Sequence, residues 1–168
     1  MLISRWTIFQ FLTASLLIGI LAFVENQSGT TTVAAGTPIN SRLSIFLFIT
    51  GILGCFYLMF LFQTLKTNTF FHHSFWKNVP ILIMVIGVLS TIAILFTGTL
   101  GPLFEWVQQW RFLIYLFVVY FLLLYFVLVL SIVRNYQLDN DLGRKTTHLA
   151  FGWSLGVLVI GMFFVSPV

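Results

Sequence analysis

The side chains able to do acid–base or metal chemistry in this chain are few, and their spacing restricts what they can build. There are three histidines, His72, His73 and His148, and four acidic residues, Glu25, Glu105, Asp139 and Asp141. His72 and His73 are adjacent, so on a helix they point in different directions. All three histidines are expected near one membrane surface. A structural zinc site wants more ligands at ordered spacing, and a haem held between helices wants histidine within the spans. Neither a metal nor any other cofactor is expected. Asp139-Asn140-Asp141-Leu142-Gly143 has the look of a calcium loop, but the pattern wants Gly at its sixth position and Glu at its twelfth. Counted from Asp139, those places hold Arg144 and Ala150. The stretch reads as a solvated turn, with Arg144 and Lys145 at the lipid head groups and Thr146 or Thr147 capping the next helix.

Nucleophilic catalysis is no better supplied. The single cysteine, Cys55, falls within an apolar run, where it reads as a small packing residue. No phosphate-binding glycine loop, G-x-S-x-G elbow or H-E-x-x-H helix occurs. Glu105 and Arg111 are six residues apart, which is not a spacing for an intrahelical pair. An enzyme built from Glu25 or Glu105 with Arg111 is the weakest reading. Eight scattered basic residues form no patch for nucleic acid. The expectation is a protein that is not an enzyme.

The elements that would hold these residues are far more legible. Hydrophobic residues make up 60% of the 168, charged ones 7%, and mean hydropathy is +1.06. Five apolar runs each approach the length needed to cross a hydrocarbon core of about 30 Å at about 1.5 Å per residue. The sequence therefore predicts an all-α integral membrane protein, one domain over residues 1–168, with helices at about 6–24, 43–65, 79–97, 102–134 and 147–165. The first run is expected to remain as a helix, not to be removed as a signal peptide, despite Val33-Ala34-Ala35 downstream.

Charge distribution orients the bundle. Arg5, Lys66, Lys77, Arg134, Arg144 and Lys145 fall on one side of the alternating spans, and Arg42 and Arg111 on the other. The positive-inside rule then places the N-terminus in the cytoplasm and the C-terminus outside. The first outer connection, 26–42, has the Thr, Ser, Gly and Asn content of an irregular loop. Asn26-Gln27-Ser28 matches a glycosylation triplet, but it hugs the membrane and the triplet is common by chance. After Gly101-Pro102, Leu103, Trp106, Val107 and Trp110 recur at helical spacing with Glu105, Gln108 and Gln109 on other faces. Trp106, Trp110 and Arg111 are expected to anchor this segment at the interface, as an outward extension of the fourth helix.

Polar and small residues within the spans complete the reading. Gly51 and Gly54 in the second helix, and Gly152 and Gly156 in the fifth, suggest faces for close packing of these two helices. Gln10 is expected to bond a neighbouring helix, because its amide is the costliest of the embedded polar groups to leave unpaired. Thr50, Ser90, Thr91 and Ser154 are the candidates to line a polar path. With no charge in mid-span, the leading expectation is an accessory or stabilising subunit of a larger membrane assembly, in a bacterial cytoplasmic membrane. Its partners would be the lipid bilayer and a second membrane protein or another copy of itself. The rival expectation is a small transport component for a lipid-like or uncharged solute.

Overall fold

A computed structural model describes residues 5–30, 38–66, 74–110, 112–136 and 142–165. The described residues form helices only: α1 (Arg5–Thr30), α2 (Pro38–Lys66), a 3-10 turn (Ser74–Lys77), α3 (Val79–Leu100), α4 (Leu103–Gln109), α5 (Phe112–Tyr136) and α6 (Leu142–Ile160), which runs on into a π turn (Gly161–Val165). Five of these, α1, α2, α3, α5 and α6, are long and apolar enough to cross a membrane. The chain is a multi-pass membrane protein. In lipid a backbone N–H left outside a helix has no water to bond, so continuous helices are the form such apolar runs must take.

Several helices extend further than their apolar runs. α1 has 26 residues and α2 has 29, about 39 and 43 Å of helix against a core of about 30 Å. Their ends therefore leave the hydrocarbon or the helices tilt. Much of the expected irregular connection 26–42 is helical, and the segment between the two helices shrinks to 31–37, outside the described residues. The fifth spanning helix starts before the apolar run too, at Leu142. Thr146 and Thr147 consequently lie inside it, fully buried, instead of capping it. The Thr147 hydroxyl donates to the Gly143 carbonyl at 3.0 Å, a bond back to its own helix.

The segment after α3 differs from the expected extension of the fourth helix. Gly101 is extended (φ −121°, ψ 179°), and Trp110 leaves helical geometry (φ −123°, ψ 82°), so α4 is a separate helix between two breaks. Gly101 is required sterically: a Cβ there would lie 2.7 Å from the Thr97 carbonyl oxygen. The same carbonyl accepts the Gly101 N–H at 3.0 Å, which closes the end of α3.

α2 is the central element. It packs on α1, α5 and α6, while α3 leans mainly on α5 and α1 mainly on α2. The ends of the bundle differ in charge. Lys66, Lys77, Arg134, Arg144 and Lys145 all lie at one end, called the basic end below; α4 lies at the other. Two clusters form the core. Ile52, Leu53 and Phe56 of α2 enclose Phe126 of α5 near mid-bundle. Nearer the basic end, Trp76, Val79 and Ile83 meet Leu130 of α5 and Ala150 of α6. Among the described residues, the buried side chains lie from mid-bundle towards the basic end, with Leu21 as an exception. Close packing is thus concentrated there, and dispersion between interlocked side chains is what holds helices together in lipid.

Candidate functional site

Some polar side chains of the spans tie one helix to the next, while Thr13, Thr64, Thr91, Thr97, Thr99, Ser131 and Thr147 return their hydroxyls to their own helices. The Gln10 side-chain amide donates to the Gln63 carbonyl oxygen at 2.8 Å, joining α1 to α2 as expected for Gln10. One turn nearer the basic end, Lys66 Nζ donates to the Thr7 hydroxyl at 3.1 Å. Tyr57 Oη and His148 Nδ1 are 2.8 Å apart, joining α2 to α6, and the Tyr57 ring stacks on Phe151 at 4.6 Å between centroids. Ser90 and Tyr120 share a hydrogen bond of 2.6 Å between α3 and α5. The Tyr125 hydroxyl donates to the Ser154 carbonyl at 3.2 Å, joining α5 to α6. The pairs α1–α2, α2–α6, α3–α5 and α5–α6 thus each carry a side-chain bond. In lipid such a bond contributes about 0.6 kcal/mol on average, because the separated helices also find partners.

His148 is the one histidine among the described residues; it is exposed near the basic end, and it also has a partner. It stands well inside α6 with its ring 5.6 Å from that of Tyr57. The sequence signal for this pairing was absent, since the two residues are 91 apart. His72 and His73 lie outside the described residues, as do Asp139, Asp141 and Arg111. Among the described residues, no three of His, Cys, Asp and Glu come together to hold a metal.

The four candidate polar-lining residues are separated. Ser90 is committed to Tyr120. Thr91 returns its hydroxyl to the Gly87 carbonyl at 2.8 Å and is exposed on the outside of α3. Thr50 and Ser154 have buried hydroxyl oxygens with no hydrogen-bond partner. None of the four lines the cavities described below.

The packing glycines also separate. An added Cβ at Gly51 would meet Ile20 Cδ1 at 3.7 Å, so this glycine faces α1 and not α6. Gly54 has nothing within 4 Å. Gly152 and Gly156 are exposed on the outer surface of α6, again with nothing within 4 Å. α2 and α6 do pack against each other, but α6 turns Ala150 and Ser154 inward and leaves its glycines out. The inward face of α6 carries Thr146, Thr147, Ala150 and Ser154, all fully buried.

What the bundle does offer is space at the α4 end. There the helices part to leave two apolar clefts on either side of α5. One, of about 750 Å³, lies between α1, α2 and α5, with Phe23, Phe48 and Tyr115 in its wall. The other, of about 580 Å³, lies between α5, α3 and α4, with Ile94, Leu103 and Val107 in its wall. Ile49, Ile114 and Val118 line both, forming a thin partition. α4 closes the second cleft with Leu103 and Val107, and leaves Trp106 and Trp110 exposed. Beside the first cleft, Glu25 keeps a buried carboxylate oxygen, Oε2, without a hydrogen-bond partner. Ser44 and Tyr115 are the polar side chains of the first wall and Tyr125 of the second. Such walls suit hydrocarbon and offer little to replace the water shell of an ion or a sugar.

Comparison with protein-family models, with curated proteins and with solved structures finds no match to this chain.

Proposed function

We propose that this chain is a non-enzymatic accessory or stabilising subunit of a larger membrane assembly, residing in a bacterial cytoplasmic membrane with its basic end in the cytoplasm. The observation that carries the reading is the division of labour among side chains. Polar groups in the spans are largely used inside the bundle, either between helices, as in Gln10–Gln63, Tyr57–His148 and Ser90–Tyr120, or back to their own helix, as in Thr13 and Ser131. The clefts and outward faces are left apolar. A bundle arranged this way presents shape, not reactive groups. The orientation rests on the basic residues at one end and the positive-inside rule.

A second reading, handling of a lipid-like molecule, is favoured by the two clefts at the α4 end, whose walls match acyl chains. Isolation of the tagged full chain from its native membrane in mild detergent, followed by identification of what accompanies it, separates the two. A stoichiometric membrane-protein partner is the expected result. Recovery of the chain alone, with lipid movement between liposomes after reconstitution, would replace the first reading by the second.

A further inference from the structure

A third cavity lies apart from the clefts, on the outer surface at the basic end. It is a groove of about 480 Å³ between α5 and α6, lined by Val129, Ile132, Val133 and Tyr136 on one side and Leu149, Trp153 and Val157 on the other. Its α6 wall follows a single ridge, since Leu149, Trp153 and Val157 recur at every fourth residue. One step back along that ridge is Lys145, exposed in the first turns of α6. From Lys145 to Val157 the ridge covers about 18 Å at about 1.5 Å per residue. Half of a hydrocarbon core is about 15 Å. The groove therefore has the depth of one leaflet, with a cation at its mouth. Gly152 and Gly156 flank the ridge with open space around them, so a chain lying there can approach the α6 backbone closely.

We propose that this groove seats one anionic phospholipid of the leaflet at the basic end, with an acyl chain between α5 and α6 and its phosphate against Lys145. The apolar wall alone would accept any lipid tail. Selection for negative charge comes from Lys145, whose long stem lets its ammonium reach the head-group level while its methylenes stay on the ridge. Arg134 lies in the last turn of α5, its guanidinium donating to Asn135 Oδ1 at 3.2 Å. The hairpin connection also carries Asp139 and Asp141, outside the described residues, so the cation in line with the groove is the one that decides. Arg144 precedes Lys145 by about 100° of helix rotation and leaves the ridge.

The reporter is already in place, because Trp153 is 63% exposed and forms part of the wall. The full chain is reconstituted in phosphatidylcholine vesicles doped either with brominated-chain phosphatidylglycerol or with phosphatidylcholine carrying the same brominated chains. Tryptophan quenching is then compared. Stronger quenching by the anionic lipid is expected, and Trp153→Phe abolishes the excess. Lys145→Gln lowers the preference for the anionic lipid about fivefold, the effect of one cation at an anionic surface, while Arg144→Gln leaves most of it. Equal quenching by the two lipids overturns the proposal, as does an excess that survives Trp153→Phe. Equal losses from Lys145→Gln and Arg144→Gln also overturn it, since diffuse surface charge would then account for the preference. All three substitutions are at exposed positions, and helicity measured in the same vesicles checks that each variant remains folded.

Discussion

Replacement of two phenylalanines by alanine tests where the core of this bundle lies. Phe126 is 0% exposed, enclosed by Ile52, Leu53 and Phe56, with the Phe60 ring 5.7 Å away between centroids. Phe96 on α3 is 64% exposed. In a water-soluble protein a buried Phe→Ala costs about 3–5 kcal/mol, part of it transfer from water and part the cavity left behind. A membrane removes most of the transfer part, because the separated helix keeps the ring in lipid. What remains at Phe126 is lost packing, about 2 kcal/mol, or roughly thirtyfold in the folded-to-unfolded ratio. At Phe96 the ring exchanges one apolar neighbour for another, and the expected cost is within about 0.5 kcal/mol. The assay is unfolding of the purified chain in mixed micelles of mild detergent and increasing dodecyl sulfate, followed by helicity and gel mobility. Equal effects of Phe126→Ala and Phe96→Ala would refute the packed core assigned to α2, α5 and α6.

The remaining predictions use the same unfolding assay unless stated. A double-mutant cycle of Gln10→Leu and Gln63→Leu is expected to give a coupling of about 0.6 kcal/mol and no more than about 1.7; additive single effects would mean that the amides do not pair. Gly51→Ala is tolerated, since its Cβ would rest at ordinary contact distance from Ile20, whereas Gly51→Phe pushes α1 away at a cost of about 1–3 kcal/mol. Gly152→Phe, on the open face of α6, changes stability by less than about 0.5 kcal/mol. Gly101→Ala forces the end of α3 to shift, because its Cβ cannot stay 2.7 Å from the Thr97 oxygen. A cysteine placed at Leu103 in a Cys55→Ser background then changes its labelling rate with a membrane-permeant reagent. A labelling rate equal to that of the parent would show that the turn is not held by Gly101. For the proposed orientation, a cysteine at Lys66 is expected to react only from the cytoplasmic side, and reaction from outside reverses the topology.

Much of the framework was legible because its cause is local. An unbroken apolar run of membrane length has only one low-energy backbone form in lipid, so the five spans follow from composition and spacing. Breaks were harder to place. Gly101-Pro102 announces an interruption, but whether α4 continues into α5 depends on the backbone at Trp110, and tryptophan carries no signal for leaving a helix. Helix faces were least legible. In water the buried face is the apolar one, and periodicity finds it. Here both faces are apolar, so Gly152 and Gly156 outlined a contact face on paper while α6 turned Ala150, Thr147 and Ser154 inward. Gln10 was the exception, because an amide in hydrocarbon needs a partner wherever it is placed. The partner itself, Gln63, required the fold.

The central position of α2 also imposes an order on synthesis. Its partner α1 has already emerged by the time α2 is made. The residues that close its other faces, Phe126 and Phe151 among them, belong to helices made later, and the Tyr57–His148 bond joins residues 91 apart in sequence. Contacts so remote in sequence are slow to form because the intervening loop must first be closed. From its release into the bilayer until α5 is threaded, α2 must keep Ile52, Leu53 and Phe56 against lipid or against a chaperone, and the Tyr57 side waits longer still, for α6. A ribosome pause or truncation before residue 142 would leave four spanning helices with the α6-facing sides of α2 and α5 uncovered and open to the wrong neighbour. In this bundle α6 is the lock, and the helices before it are an unfinished interface awaiting closure.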